Sequence, residues 1–117
     1  MNLSAWLEAY GAAWEGKDPE AAQALFTENA TYRKTPYDEP FRGRSGIRAY
    51  WSEVTADQRD IDFNFDVLSA AGTTGIAHWT SRFSLISSGK PVELNGIFVL
   101  EFEGELCASL REWWHAR

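Results

Sequence analysis

Apolar residues recur at two different spacings along this chain, and the spacing changes near Ile61. Leu3, Trp6, Leu7, Tyr10 and Trp14 return every three or four positions, the period of a helix with one buried face. This predicts a first helix with Ser4 as its cap, ending near Gly16 and Lys17. Asp18-Pro19-Glu20 opens a second helix with a capping acid, a proline at the first helical position and an acid in the first turn. Ala22, Leu25 and Phe26 form its apolar stripe, Thr27 to Asn29 end it, and Ala30 to Lys34 reads as a short strand. Pro36, Pro40, Gly43 and Gly46 mark a loop over Thr35 to Gly46. Ile47, Tyr50, Trp51 and Val54 give a third helix, which fades in the polar run Thr55 to Asp60.

From Ile61 the period is two. Ile61, Phe63, Phe65 and Val67 alternate with Asp62, Asn64 and Asp66, the pattern of a half-buried strand. Turns at Ala71 to Thr73, Ser88 to Pro91 and Gly104 separate three more strands, Thr74 to Ser87, Val92 to Glu103 and Leu106 to Trp114. Trp79, Phe83 and Leu85 share one face of the first of these. In the second, Leu94, Phe98, Leu100 and Phe102 share one parity, Ile97 and Val99 the other. A strand apolar on both faces is covered on both sides. The order of elements predicts an α+β domain spanning residues 1–117, with three N-terminal helices packed on one face of a twisted, mainly antiparallel sheet. Too few elements remain to cover the outer face, so a homodimer through that face is expected.

Composition narrows the chemistry. A net charge of −6 argues against a nucleic-acid surface. No apolar run reaches the length of a membrane span, and the N-terminus lacks the pattern of a secretory leader. The single cysteine, Cys107, excludes an internal disulfide and fits a reducing, cytoplasmic setting. It lies in an apolar strand, where it acts as a small hydrophobe. His78 and His115 have no ligand-spaced partner, so no metal is expected. No cofactor motif is present. Six Trp, seven Phe and four Tyr can fill a core or line a pocket for an apolar or aromatic molecule.

Three segments, Tyr10-Gly-Ala-Ala-Trp14-Glu-Gly-Lys-Asp18, Leu25-Phe26-Thr-Glu-Asn-Ala30-Thr-Tyr32 and Gly43-Arg-Ser-Gly-Ile47-Arg-Ala-Tyr50-Trp51, resemble the NTF2-like superfamily in its SnoaL-like and ketosteroid-isomerase-like branch. The resemblance implies a cone: a strongly curved, mainly antiparallel sheet wrapped against three helices and enclosing a deep pocket. It also implies dimers through the outer sheet face, and a small hydrophobic ligand. Fold alone does not choose among isomerases, cyclases, dehydratases, hydrolases and non-enzymatic binding modules.

Matched position by position, the isomerase's oxyanion-stabilising Tyr falls on Tyr10, its general base on Lys34 and its second oxyanion donor on Phe98. Two of the three catalytic groups are therefore lost, and nothing remains to move a proton by that route. If Phe98 faces the cavity, Leu110, Glu112 and Trp114 face it from the last strand. If the opposite parity faces in, Arg111 and Trp113 do. The helix stripes and strand parities bring together Tyr10, Trp14, Tyr50, Trp51, Trp79, Phe98 and Trp114, with Tyr32 and Lys34 near the mouth. Tyr10 and Glu112 are the candidate catalytic residues. The two expected function classes are a cofactor-independent acid–base enzyme and a non-catalytic ligand-binding or dimerisation module.

Overall fold

The computed structural model describes residues 1–117. Helix α1 spans Leu3–Glu15 and buries Leu3, Trp6, Leu7, Tyr10 and Trp14 on one face. Its cap is Asn2, whose side chain accepts the Ala5 N–H at 3.0 Å, in place of the expected Ser4. The reason is that Leu3 is already part of the buried stripe, so the helix has to begin before Ser4.

Helix α2 is one short segment, Pro19–Gln23, capped by Asp18 through the Ala21 N–H at 3.0 Å. Strand β1 follows at once, Phe26–Arg33. The expected second helix ran through Phe26, and the strand was expected only from Ala30. Sheet pairing decides this: Phe26 pairs with Cys107, and the Cys107 N–H donates to the Leu25 carbonyl at 3.0 Å. The expected loop also shortens, because Phe41–Arg42 forms a two-residue strand, β2, with Phe41 opposite Tyr32. Gly43, at φ 71°, turns the chain directly into helix α3, Gly43–Thr55.

Four strands complete the chain: β3, Gln58–Ala71; β4, Thr74–Leu85; β5, Pro91–Glu103; and β6, Leu106–Ala116. Strand β3 starts three residues before Ile61. Strand β4 stops two residues before Ser87, whose N–H and hydroxyl both turn to the Asp57 carboxylate at 2.7 Å. Strand β6 runs two residues past Trp114, because Ala116 still pairs with Leu94.

The sheet order is β2-β1-β6-β5-β4-β3, and the sheet does not close. Only β1 and β6 run parallel; the other neighbours are antiparallel. This is the expected α+β class, a few helices on a mostly antiparallel sheet.

The core lies between α1 and the inner sheet face. Trp6 packs edge-on against Phe26 and Phe102, with centroids 5.6 and 5.5 Å away, and Tyr10 packs on Phe98 at 5.3 Å. Gly11 permits this approach: a Cβ there would stand 2.7 Å from the Phe63 ring. On the opposite face, register sets Ile97 beside Trp113 and Ile76 beside Val99. Trp113 is 42 % exposed there, and no helix covers it. No helix of the chain is long and apolar enough to cross a membrane.

Candidate active site

A cavity of about 440 Å³ opens between the helices and the inner sheet face. One turn of α1 supplies Tyr10 and Trp14, and α3 supplies Tyr50, Trp51 and Val54. Trp79 and Phe83 come from alternate positions of β4, and Glu112 and Trp114 from alternate positions of β6. Tyr32, on β1, and Lys34, just beyond it, reach the same space. Phe98, expected in the lining, stands one layer back. It is fully buried and stacked on Trp79, with centroids 5.0 Å apart and planes 16° apart.

Glu112 is only 7 % exposed and faces the cavity, directly opposite Phe98 in the β5–β6 register. Arg111 and Trp113 lie on the outer face, with the guanidinium 5.6 Å from the indole centroid.

Three polar side chains form a chain in the cavity wall. The Tyr10 and Tyr32 hydroxyls are 2.8 Å apart, and the Tyr32 hydroxyl donates to Glu112 Oε2 at 3.4 Å. With Tyr32 donating to Glu112, the Tyr10 hydroxyl donates to Tyr32. Tyr10 therefore stands behind Tyr32 with respect to the carboxyl. Burial pushes the Glu112 carboxyl up to about 8; the Tyr32 hydrogen bond and the Lys34 charge pull only partly the other way. At neutral pH it is mostly the protonated acid. Burial, then the nearby Glu112 carboxyl, raises the phenols of Tyr10, Tyr32 and Tyr50, so all three remain donors.

Gln58 is a cavity residue that the pattern of the chain concealed. Its Oε1 accepts the Trp14 indole N–H at 2.8 Å. It belongs to the polar run after α3. A bulge, with Asp60 at φ 54°, shifts the β3 register beyond Arg59 and leaves Gln58 facing inward. The only signal in the sequence is one uncharged residue among charged neighbours. At the rim, the Trp114 indole N–H donates to the Lys34 carbonyl at 2.8 Å, tying the end of β6 to the end of β1.

Several other polar residues lie outside the cavity. Asp38 accepts from the Thr35 hydroxyl, Arg44 donates to the Phe26 carbonyl, and Arg48 pairs with Glu20. His78 lies between Asn95 and Asp66. The Cys107 thiol is buried, and burial pushes it up to about 12, far from a reactive thiolate.

The profile of the SnoaL-like domain family matches residues 7–110. The chain belongs to that family. The architecture of this SnoaL-like domain is shared by solved structures at low identity. One is a hypothetical protein from Catenulispora acidiphila DSM 44928 with a ketosteroid isomerase-like fold, solved in complex with trimethylamine. It is 20% identical, covers 92% of this chain and 83% of its own, and has a TM-score of 0.83. A candidate isomerase from Bacillus subtilis is 23% identical, covers 98% and 90%, and scores 0.86. The epoxide hydrolase/cyclase-like enzyme SalBIII, described for pyran ring formation in the polyether salinomycin, is 21% identical, covers 96% and 89%, and scores 0.82. No curated protein matches the chain by sequence. These likenesses establish the NTF2-like fold and leave the chemistry to the residues. In this SnoaL-like domain, Glu112 lies directly across the β5–β6 register from Phe98.

Proposed function

We propose that the chain, folding as one domain over residues 1–117, is a cofactor-independent enzyme in which Glu112 acts as a general acid on an oxygen of a small hydrophobic molecule. The supporting observation is a lone carboxyl buried in the wall of an aromatic cavity and hydrogen-bonded to Tyr32, whose hydroxyl is in turn bonded to Tyr10. Such an acid is poised to donate at neutral pH, and a placed general acid contributes about 10²–10⁴ in rate.

The step balances without a co-reactant other than water. The Glu112 proton passes to a substrate oxygen as its C–O bond breaks. A hydroxyl, the substrate's own or that of water, forms the new C–O bond, and its proton returns to the carboxylate. The net result is a ring-closing isomerisation or a hydration. Tyr32 holds the carboxyl in place, and Tyr10 positions Tyr32. This chemistry is of the kind named for SalBIII, and it does without the base and second donor that Lys34 and Phe98 replace.

The test uses an aryl-substituted epoxy alcohol, with cyclic ether and diol followed by chromatography. Wild-type protein is expected to accelerate ring opening, with activity declining above pH 8. Glu112→Gln is expected to lower kcat by about 10²–10⁴ while the affinity changes by less than about threefold. Undiminished turnover in Glu112→Gln would remove the acid from the mechanism. The second reading, a non-catalytic ligand-binding module, draws on the loss of two of the three isomerase positions. It predicts saturable binding and no rate above buffer.

A further inference from the structure

Lys34 is a charge without a partner at the mouth of an otherwise uncharged cavity. Among the cavity residues only Lys34 and Glu112 carry ionisable groups that matter at neutral pH, and Glu112 is mostly neutral there. Five ion pairs are present in the protein, and Lys34 belongs to none of them. Its ammonium stands 5.9 and 6.0 Å from the ring centroids of Phe41 and Tyr50, which are themselves stacked at 4.3 Å. It lines the same cavity as Glu112. Its own carbonyl is held by the Trp114 indole, which fixes the backbone from which the side chain starts.

The remaining polar capacity of the cavity has the same sense. Two acceptors are occupied within the protein: Gln58 Oε1 by Trp14, and Glu112 Oε2 by Tyr32. The Tyr50 hydroxyl, in the cavity wall, makes no hydrogen bond within the protein. A largely apolar cavity with a free hydroxyl in its wall and one ammonium at its rim is complementary to an apolar molecule carrying a negative charge at one end.

We propose that the cavity takes a hydrophobic carboxylate, its anionic end on the Lys34 ammonium at the mouth and its apolar body among the Trp and Tyr rings. This names the substrate class for the activity proposed above and rests on the same cavity, but the contact it adds is a binding contact. It leaves Glu112 free to meet a second, uncharged oxygen deeper in. The position that the isomerase alignment gives to a general base thereby becomes an anchor.

The experiment compares 2-naphthoate with its neutral isostere 2-naphthamide and with 2-naphthylmethylammonium, by tryptophan fluorescence titration and calorimetry at pH 7. The carboxylate is expected to bind about tenfold more tightly than the amide, since charge-assisted pairs are the stronger ones, and the ammonium least. Lys34→Met should abolish that preference, Lys34→Arg should keep it, and circular dichroism checks that each variant folds. Glu112→Gln should leave the preference intact, so loss of catalysis and loss of the anchor are read separately. Equal binding of acid and amide, tightest binding of the ammonium, an unchanged preference in Lys34→Met, or no binding of any of the three would overturn the proposal.

Discussion

Replacing Glu112 by Gln tests the buried carboxyl without any substrate. The group's folded pKa, about 8, lies above its reference value of 4.5. Its contribution to stability is therefore fully present below pH 4.5 and is lost as the pH rises towards 8. Over that window the folded state binds more protons than the unfolded one, so stability falls by up to about 1.4 kcal/mol per pH unit. The loss across the whole window is on the order of 3–5 kcal/mol. Gln keeps the shape, and its carbonyl can still accept from Tyr32, but it has no proton to lose. Urea denaturation of both proteins from pH 4.5 to 8.5 should show the wild type losing stability relative to Glu112→Gln by that amount. Asp57 and Glu93 do not interfere. Ser87 hydrogen bonds hold the first below the usual carboxylate range, and Arg117 the second. Their contributions are present above their reference values of 3.8 and 4.5, are lost as the pH falls further, and are common to both proteins. A stability difference constant to within about 0.5 kcal/mol over the window would mean that Glu112 is ionised and hydrated at neutral pH, and the argument for a buried acid would fail.

Three further outcomes can be measured. Tyr10→Phe removes the 2.8 Å bond to Tyr32 and leaves the ring packing, so it should cost about 1–2 kcal/mol in urea denaturation; a neutral result would mean that this bond contributes nothing net. Gly96→Ala would place a methyl group 2.5 Å from the Trp113 carbonyl and 2.8 Å from the Trp114 Cβ, so a loss of about 1–3 kcal/mol is expected, whereas an unchanged melting temperature would show that β5 and β6 can separate without cost. We propose that the outer patch around Trp113, Ile97, Ile76 and Val99 is covered by a second copy of the chain: sedimentation at micromolar concentration should give a dimer for the wild type and a monomer for Trp113→Glu, and a monomeric wild type refutes it.

The periodicity of the chain by itself determined the class of fold. Strict helical spacing from Leu3 to Trp14 and strict alternation from Ile61 to Phe65 each place side chains on one face whatever the rest of the chain does. The Asp18-Pro19 signal worked for the same reason, since a cap is satisfied within its own first turn. Parity also tied Glu112 to Leu110 and Trp114, as a set that would turn inward or outward together.

Tertiary structure decided which way that set turned. Alternation contains no information about which face meets the helices; that is settled when Phe98, opposite Glu112 in the register, packs against Tyr10 of α1. Phe26 could not be read as a strand residue because its partner, Cys107, is far away in sequence and the hydrogen bonds between them are invisible locally. Gln58 was hidden by a bulge that one residue at positive φ creates. The acid character of Glu112 belongs to this second group as well. A carboxyl acquires a pKa near 8 from the water it loses, and that loss exists only once α1, α3 and β6 close around it.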